Sequence, residues 1–440
     1  MMKTNKTVTE IIDSDYMEYA MYTLEQRAIP SVVDGQKIVN RKILYAMINK
    51  FGGKKTKLND LGSISNLNYH HGEVSAISAA VGMTQDWNNN SPLFIGHGAF
   101  GSRMIQEAAA PRYIYASLSD VYKKVFIDTE VCPPSSDEES PEPAHFLPII
   151  PWVLVNGILG MSVGFKCSIL PRSLSTIITA TKAYLSNPER FLAADNPLPP
   201  TFPSFRGKTF AKGISQWVTQ GVVKSAPKNT YEITELPIGY DREGYVTLLN
   251  ELVDSDSIKD YEDNCSKDGF GFTIKVTSAQ KDAVDNDPIK FFKLEKTHTE
   301  ILTTIGIDGK LKIFQSVAEL IAYFCEYRTK KFGDKLEFDK TKIREHASML
   351  SDKLRFIQDV IDEKLPLKDT TKAEMIDHIF ENITKADYGK TFIRIPLYEC
   401  TPEEVAKLRS EIEGQRALLV ELNSQTPEKI FSQRLNGIKV

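Results

Sequence analysis

The pair Arg112-Tyr113 has residue types that could carry out chemistry on a phosphodiester. A tyrosine hydroxyl can attack a phosphate and hold the broken end as a covalent ester. An adjacent guanidinium can neutralise the charge that develops on the phosphate oxygens. Because the chain has 17 tyrosines and most tyrosines are half-buried packing residues, the pair alone is a weak signal. Its surroundings make it a candidate site.

The segment before this pair, residues 96–103, is too rich in glycine to form a regular element. Three alanines at 108–110 then precede Pro111, and such small residues let another backbone come close. The loop and the Arg-Tyr pair are therefore interpreted together as one candidate catalytic region.

Charge along the chain is uneven, although the net charge is −4 and the pI about 6.1. A protein that coats nucleic acid should be basic overall, so the net charge does not favour that role. Residues 36–58, however, contain no acid and seven bases, which are Lys37, Arg41, Lys42, Lys50, Lys54, Lys55 and Lys57. A solvated helix face is the alternative explanation. Acidic residues cluster elsewhere, at 135–140, so the chain could hold DNA on one basic face.

The composition is that of an ordinary globular protein, with 41% hydrophobic and 25% charged residues. A length of 440 residues predicts roughly two to four domains. No apolar run is long enough to span a bilayer, and no apolar signal core follows the N-terminus, so no membrane partner is expected. The five cysteines form no CxxC pair, which predicts free thiols in a reducing cytoplasm and argues against zinc.

Three helices are expected before residue 90, at about 7–27, 40–51 and 73–87. Their order and the lysine-rich connection resemble a winged-helix or helix-turn-helix module, in which the third helix would enter the DNA groove. A loop rich in proline and acid at 131–145 predicts a domain boundary. Beyond it, Asn156-Gly157 signals a tight turn.

Residues 200–320 mix strand-like runs and turns, as in an α+β domain, and the remainder is helical. Two apolar stripes there indicate an antiparallel coiled coil, with residues 366–400 as a small globular knob at its tip. The stripes are Leu336, Ile343, Ala347, Leu350, Leu354, Ile357 and Ile361, and Val405, Leu408, Ile412, Leu419 and Leu422. Two ordinary amphipathic helices on a core are the alternative. The predicted fold is mixed α/β and mostly α, with domains at 1–145, 146–320 and 321–440.

Several short blocks in a fixed order make the chain resemble the breakage-reunion subunit of type II DNA topoisomerases. They include residues 27–30 with 34–37 and 41–47, the Tyr-His-His-Gly-Glu-Val-Ser block at 69–75, the glycine loop with Ala-Ala-Pro-Arg-Tyr-Ile, residues 147–160, and Thr-Glu-Leu-Pro at 234–237. The sequence departs from the family pattern at Pro111, at 95–101 and at Ile38, which leaves the tyrosine intact. The resemblance implies a winged-helix domain, an α+β tower domain and a coiled coil ending in a dimerisation knob.

The resemblance also implies roles for individual residues. Tyr113 would form a 5′-phosphotyrosyl intermediate, with Arg112, Arg27 and His71 handling charge and protons. The DNA contacts would be Lys37, Arg41, Lys42, His70 and Ser75, together with Met161, which matches the position of an apolar wedge between base pairs. A histidine fixed by backbone hydrogen bonds is the alternative for His71, and core filling is the alternative for Met161.

Partners and cofactors follow from the same resemblance. The sequence shows no P-loop, no ATPase segment and no convincing acidic metal-binding domain. Asp254 and Asp256 are better explained as a helix cap or turn than as a metal site. Mg²⁺ and ATP are therefore expected on a large partner subunit, with this chain forming a homodimer on double-stranded DNA. This combination is similar to the cleavage subunits of T-even-like bacteriophage enzymes, which would act in the host cytoplasm.

Two other classes of function remain open at this point. A non-enzymatic winged-helix DNA-binding protein would explain the basic segment and the helices. A tyrosine recombinase or type I enzyme would use the same nucleophile. Either of these enzymes should form covalent DNA adducts alone and without Mg²⁺, whereas a type II cleavage subunit should form none until its partner is added.

Overall fold

The structure is a computed structural model and describes residues 7–65, 72–135, 140–194, 198–365 and 370–438. The chain divides into two compact units, one bounded as Met1–Arg328 with Arg434–Val440 and the other as Thr329–Gln433. The predicted division into three domains stays a prediction, because the structure separates into two compact units and neither boundary of the prediction is tested. No described helix is long and apolar enough to cross a membrane.

Before residue 90 the three expected helical stretches are present together with Leu58–Ser65, which was not expected, and further helices follow in the first unit. In chain order the helices of this unit are Val8–Glu10, Ile11–Tyr16, Met17–Thr23, Leu24–Ala28, Ile38–Asn49, Leu58–Ser65, Glu73–Thr84, Asp120–Val125, Thr129–Val131, Val153–Asn156, Leu174–Ser186, Pro188–Ala193, Arg242–Asp254, Lys281–Asn286 and Pro288–Phe291. The first four segments are continuous. They end at Ile29, whose backbone is extended, as the residue before a proline favours.

A small antiparallel sheet closes the region that holds the candidate tyrosine. Its strands, in spatial order, are Thr56–Lys57, Tyr115–Leu118 and Phe94–His97. The helices Ile38–Asn49, Leu58–Ser65 and Glu73–Thr84 bury apolar side chains beside it, including Ile43, Leu61 and Ala80. Burial of these side chains fixes the position of the central strand, which begins two residues after Tyr113.

The remaining sheets of the first unit are all antiparallel. They are the hairpin Ile158–Ser162 with Phe165–Ile169; the sheet Asp260–Asp263, Phe272–Lys275, Thr230–Glu235 and Val222–Ala226; the sheet Glu295–Thr299, Gln216–Gln220 and Lys208–Gly213; and the pair Leu302–Ile305 with Leu311–Phe314. The strands predicted near 270–276 and 310–314 are confirmed. The chain is therefore a mixed α/β protein with many helices.

The second unit is built on two long helices and several short ones. The 45-residue helix Val317–Ile361 begins in the first unit, and the second unit also contains Lys372–His378, Ile379–Ile383, Asp387–Arg394, Leu397–Glu399, Pro402–Asn423 and the start of Pro427–Gly437. Thr401 caps its helix by accepting a hydrogen bond from the Glu404 amide, as predicted.

One core joins the two predicted apolar stripes of the second unit. Leu350, Phe356 and Ile357 from the first stripe region share this core with residues from 405–412 and from the short helices at 379–392. The second stripe is buried at Val405, Leu408 and Ile412 but half-buried at Leu419 and Leu422. The predicted knob thus has described residues that pack on both long helices.

Candidate functional site

Tyr113 sits on a hydrogen-bonded turn with its side chain in solvent. It ends a turn in which its amide donates to the Ala110 carbonyl at 2.9 Å. The next residue, Ile114, is buried, and its carbonyl accepts from the Leu58 amide at 3.1 Å. The tyrosine side chain itself is 67% exposed. A fixed backbone with an accessible hydroxyl is the arrangement that a nucleophile toward a large substrate requires.

Arg112 lies against the ring of Tyr113. Its guanidinium carbon is 4.8 Å from the ring centroid, within the range of a cation–π contact. Both side chains are exposed, so the guanidinium keeps donors available for an anion that approaches the hydroxyl. The structure therefore brings this predicted pair together.

The glycine loop folds directly onto the residue after the tyrosine. Gly98 has a φ of +118°, and a Cβ there would lie 2.7 Å from the Ile114 side chain. Gly101 has a φ of +80°, and a Cβ there would lie 2.8 Å from the Gln106 carbonyl oxygen. Larger residues would both strain the backbone and push it away. The loop therefore needs these glycines to support Tyr113.

Arg103 fixes the far end of this loop and was not singled out from the sequence. Its guanidinium pairs with Glu235 at 3.0 Å and donates to the Leu236 carbonyl at 3.1 Å. It also stacks over the rings of Phe205 and Phe270, at 5.4 and 5.3 Å from their centroids. The arginine thus ties the loop to the sheets of residues 208–275. Its place in a glycine loop was the available signal, but its partners lie over 100 residues away in sequence.

Tyr115, the other tyrosine of the segment, is less accessible. It lies in a strand, opposite His97 on one side and Lys57 on the other. The Lys55 ammonium covers its ring at 5.0 Å from the centroid. The Nε2 atom of His97 and the hydroxyl of Ser117 form a hydrogen bond of 3.0 Å, which agrees with a structural role for this histidine. Of the two tyrosines, Tyr113 is the better placed nucleophile.

Two residues predicted to contact phosphate are instead buried in ion pairs. Arg41 pairs with Asp34, its Nε and Nη2 lying 2.8 and 3.2 Å from the two carboxylate oxygens. Lys42 pairs with Glu142 at 2.6 Å, and all four residues are buried. The structure therefore gives both cations a carboxylate partner inside the protein. Their predicted contact with DNA stays a prediction.

The exposed cations of the basic segment lie nearer the tyrosine. Lys54, Lys55 and Lys57 are exposed, and the strand pairing of Lys57 with Tyr115 brings them near the turn that carries Tyr113. The pairing spans almost 60 residues, so the sequence pattern did not reveal which bases would share a surface with Tyr113.

Lys37 and Arg27 line a cavity of about 870 Å³ together with Arg103, Asn156 and Trp87. The Lys37 ammonium donates to the Leu159 carbonyl at 2.8 Å, and burial lowers its pKa. Neither Arg112 nor Tyr113 lines this cavity. The structure therefore brings Arg27 and Lys37 together but does not unite them with the tyrosine in one pocket.

Met161 is exposed, as a wedge would have to be, but its location differs from the prediction. It lies on the strand Ile158–Ser162 with 72% of its side chain exposed. Gly157 ends the preceding short helix and does not form the hairpin turn, which lies at 163–164. The core-filling alternative for Met161 is wrong in this structure, because the side chain points into solvent.

The hairpin that carries Met161 docks on the end of the first helical stretch. A Cβ on Gly160 would overlap the carbonyl oxygen of Ala28, so glycine is required for the close approach. The contact places the hairpin beside Arg27. Sequence showed the glycine but not its neighbour.

The other predicted site residues are placed as follows. Ser75 is exposed in the first turn of the helix Glu73–Thr84. His70 and His71 lie outside the described residues, so their roles stay predictions. Among the residues that the structure describes, no group of His, Cys, Asp or Glu is arranged to hold a metal ion. Asp254 ends a helix, and Asp256 follows it in a turn, which agrees with the helix-cap or turn interpretation of these residues.

Comparisons with known proteins agree with the resemblance. The family model of the DNA gyrase/topoisomerase IV A-subunit matches residues 27–436. The DNA topoisomerase medium subunit of Enterobacteria phage T4 is 34% identical over 94% of this chain and 95% of its own length. The mitochondrial DNA topoisomerase 2 of Dictyostelium discoideum is 28% identical over 98% of this chain, which spans 35% of that longer relative.

A solved structure shows the same fold. The DNA-binding, cleavage and re-ligation domain of Plasmodium falciparum topoisomerase II superimposes with a TM-score of 0.85 at 24% identity, over 97% of this chain and 63% of that chain. The family model covers most of the sequence, and the solved structure shares its fold. The chain belongs to the DNA gyrase/topoisomerase IV A-subunit family.

Proposed function

We propose that this chain is the DNA-cleaving and rejoining subunit of an ATP-dependent type II DNA topoisomerase. Family membership supports this function, and so does the similarity to the phage T4 medium subunit. The observation that carries it is the exposed Tyr113, held on a fixed turn with Arg112 against its ring.

In the proposed reaction the Tyr113 hydroxyl oxygen attacks a backbone phosphorus. The new bond joins the tyrosine to the 5′-phosphate, the bond from phosphorus to the 3′-oxygen breaks, and that oxygen leaves with a proton. The phenol proton passes to a base, for which the family position His71 is the candidate, while the guanidiniums of Arg27 and Arg112, which stay protonated, would stabilise the charge that develops on the phosphate. One ester replaces another, so attack by the 3′-hydroxyl reverses the step without an external energy source.

We propose that the duplex contacts the exposed parts of the first unit. The three helices at 38–84 and the small sheet support the predicted winged-helix arrangement, with Ser75 on the helix that enters the groove. Lys54, Lys55 and Lys57, which are exposed, would supply phosphate contacts near Tyr113. Met161 would open a base-pair step and bend the duplex.

A double-strand break needs two tyrosines, so we propose a homodimer formed through the second unit. The long helices would act as the predicted antiparallel coiled coil, with the knob at its tip. Leu397 and Tyr398 support this because they are 71% and 79% exposed on the knob. Changing both to serine should shift the chain toward a monomer in analytical ultracentrifugation at micromolar concentration. An unchanged dimer would place the contact elsewhere.

We propose that a large partner subunit holds Mg²⁺ and hydrolyses ATP, since the described residues offer no acidic cluster for the ion. Assembly with the partner would take place in the cytoplasm, where DNA is replicated if the host is a bacterium. Covalent adducts formed by this chain alone without Mg²⁺ would instead favour a recombinase or type I enzyme.

The decisive experiment traps the covalent intermediate. The chain is assembled with its partner subunit, DNA and Mg²⁺, the complex is denatured, and the modified residue is mapped by mass spectrometry. Tyr113→Phe should abolish the adduct while leaving DNA affinity nearly unchanged, because the change removes a hydroxyl and no cation. Tyr115→Phe is the matched control and should retain the adduct. Loss with the control and retention with Tyr113→Phe would contradict the assignment.

A further inference from the structure

The hairpin that presents Met161 also presents a lysine on the same face. Residues directly opposite each other in an antiparallel pair point to the same side, and Met161 lies opposite Lys166. Leu159, two residues before Met161, shares this side and is 59% exposed. The exposed face of the hairpin therefore combines two apolar side chains with one cation.

The other face of the hairpin is the one that packs on the protein. Cys167 is fully buried and Ile169 almost so, while Gly160 approaches the Ala28 carbonyl. The Lys37 ammonium donates a hydrogen bond to the Leu159 carbonyl at 2.8 Å. Docking of the hairpin is thus accounted for by residues other than Lys166.

Lys166 does not contribute to the packing of the hairpin. It is exposed, and its side chain makes no hydrogen bond or ion pair to another described residue. It is also the sole charged residue in 157–171, so no acid within the hairpin neutralises it. An unpaired cation next to an exposed apolar wedge matches what a kinked duplex offers, because a phosphate lies on each side of the opened step.

We propose that Lys166 binds the backbone phosphate beside the base-pair step that Met161 opens, and so holds the DNA bend. Opposite residues have Cβ atoms about 5 Å apart, and the minor groove into which such wedges insert is about 6 Å wide. The four-carbon stem of the lysine therefore spans from the wedge to the groove wall. This inference rests on the proposed function, with Met161 as the wedge, and assigns Lys166 as a positioning residue.

The test measures bending and affinity separately in the complete complex with its partner subunit. A duplex labelled at both ends reports the bend by fluorescence energy transfer, and titrations at several salt concentrations report the phosphate contact. Lys166→Ala should reduce the bend and make the negative slope of log K against log salt shallower by about 0.9, the value for one lost phosphate contact. Lys166→Arg should restore both.

Lys224→Ala is the matched control. Lys224 is an exposed strand lysine of the same unit, but it lies opposite Glu232 instead of an apolar side chain. It should leave the bend and the salt slope unchanged. A bend and slope in Lys166→Ala equal to those of this control would overturn the proposal for Lys166.

Met161→Ala separates failure of this proposal from failure of the wedge. If Met161→Ala reduces the bend and Lys166→Ala does not, the wedge stands and the role of Lys166 is wrong. If neither change alters the bend, the wedge and its lysine are both wrong, whereas adduct formation at Tyr113 is tested independently.

Discussion

The two halves of the basic segment 37–57 have opposite fates in the folded chain. Arg41 and Lys42 are buried and paired with Asp34 and Glu142, whereas the lysines at 54–57 are exposed near the turn that carries Tyr113. Both halves consist of basic residues. The difference teaches that a run of bases stays exposed only where the fold supplies no acid, and that such an acid can come from distant sequence, as Glu142 does.

The buried half predicts the largest effect on stability. Asp34 accepts from Arg41 and also from the amides of Gln36 and Phe146, both at 3.0 Å. Asp34→Ala should therefore lower the free energy of unfolding by about 3–5 kcal/mol, because it leaves a buried guanidinium without its partner. Urea denaturation followed by circular dichroism measures the change.

Lys54→Ala is the control for the same experiment, since an exposed lysine away from such a network should shift stability by less than about 0.5 kcal/mol. If both variants lose the same stability, the contrast between the two halves of the segment is false.

Lys37 is half-buried, and the hairpin whose Leu159 carbonyl accepts its hydrogen bond allows a second test. Gly160→Ala should force the hairpin away from Ala28 and cost about 1–3 kcal/mol, as overpacking does. Burial raises the pKa of the Cys167 thiol on this hairpin to about 12, so alkylation of the native chain at pH 8 should be slow. In Gly160→Ala, mass spectrometry should show faster labelling of Cys167. Equal labelling rates would mean that the glycine contact does not hold the hairpin.

The sequence predicted the ends of helices well where the signal for the end lies within a few neighbouring residues. Pro30 marks the end of the first helical stretch, and Thr401 with Pro402 marks the start of a long helix. The helix Leu58–Ser65 was missed because its support is not local. Gly62 there lies in close contact with Ile77 of the following helix, which the sequence pattern does not reveal.

The candidate site divides in the same way. Tyr113, Arg112 and the glycine loop are contiguous in sequence, and the structure brings them together. Arg103 was not assigned, and Lys57 was named only as one of seven bases, since the partners that define their positions, Glu235 and Tyr115, lie far along the chain. Sequence reasoning thus finds the chemical group but not the cations that a sheet register or a long-range ion pair brings to it.

The exposed half of the segment predicts an effect on DNA and not on stability. The double change Lys54→Ala with Lys57→Ala should weaken DNA binding by the assembled complex about tenfold near physiological salt. It should also make the negative slope of log K against log salt shallower by about 1.8. Fluorescence anisotropy at several salt concentrations measures both quantities. An unchanged slope would show that these lysines do not contact phosphate and would remove the functional side of the comparison.

A change at Met161 has the smallest expected effect on stability, and it tests whether this exposed side chain acts on DNA. Because 72% of its side chain is in solvent, Met161→Ala should alter the free energy of unfolding by less than about 0.5 kcal/mol. A buried methionine would cost about 2–5 kcal/mol. The same variant should reduce the bend of bound DNA and slow cleavage, because the scissile phosphates would reach Tyr113 less often. Thermal unfolding and energy transfer across a labelled duplex check the two parts. A large drop in melting temperature with an unaltered bend would show that Met161 packs in the protein and does not act on the DNA.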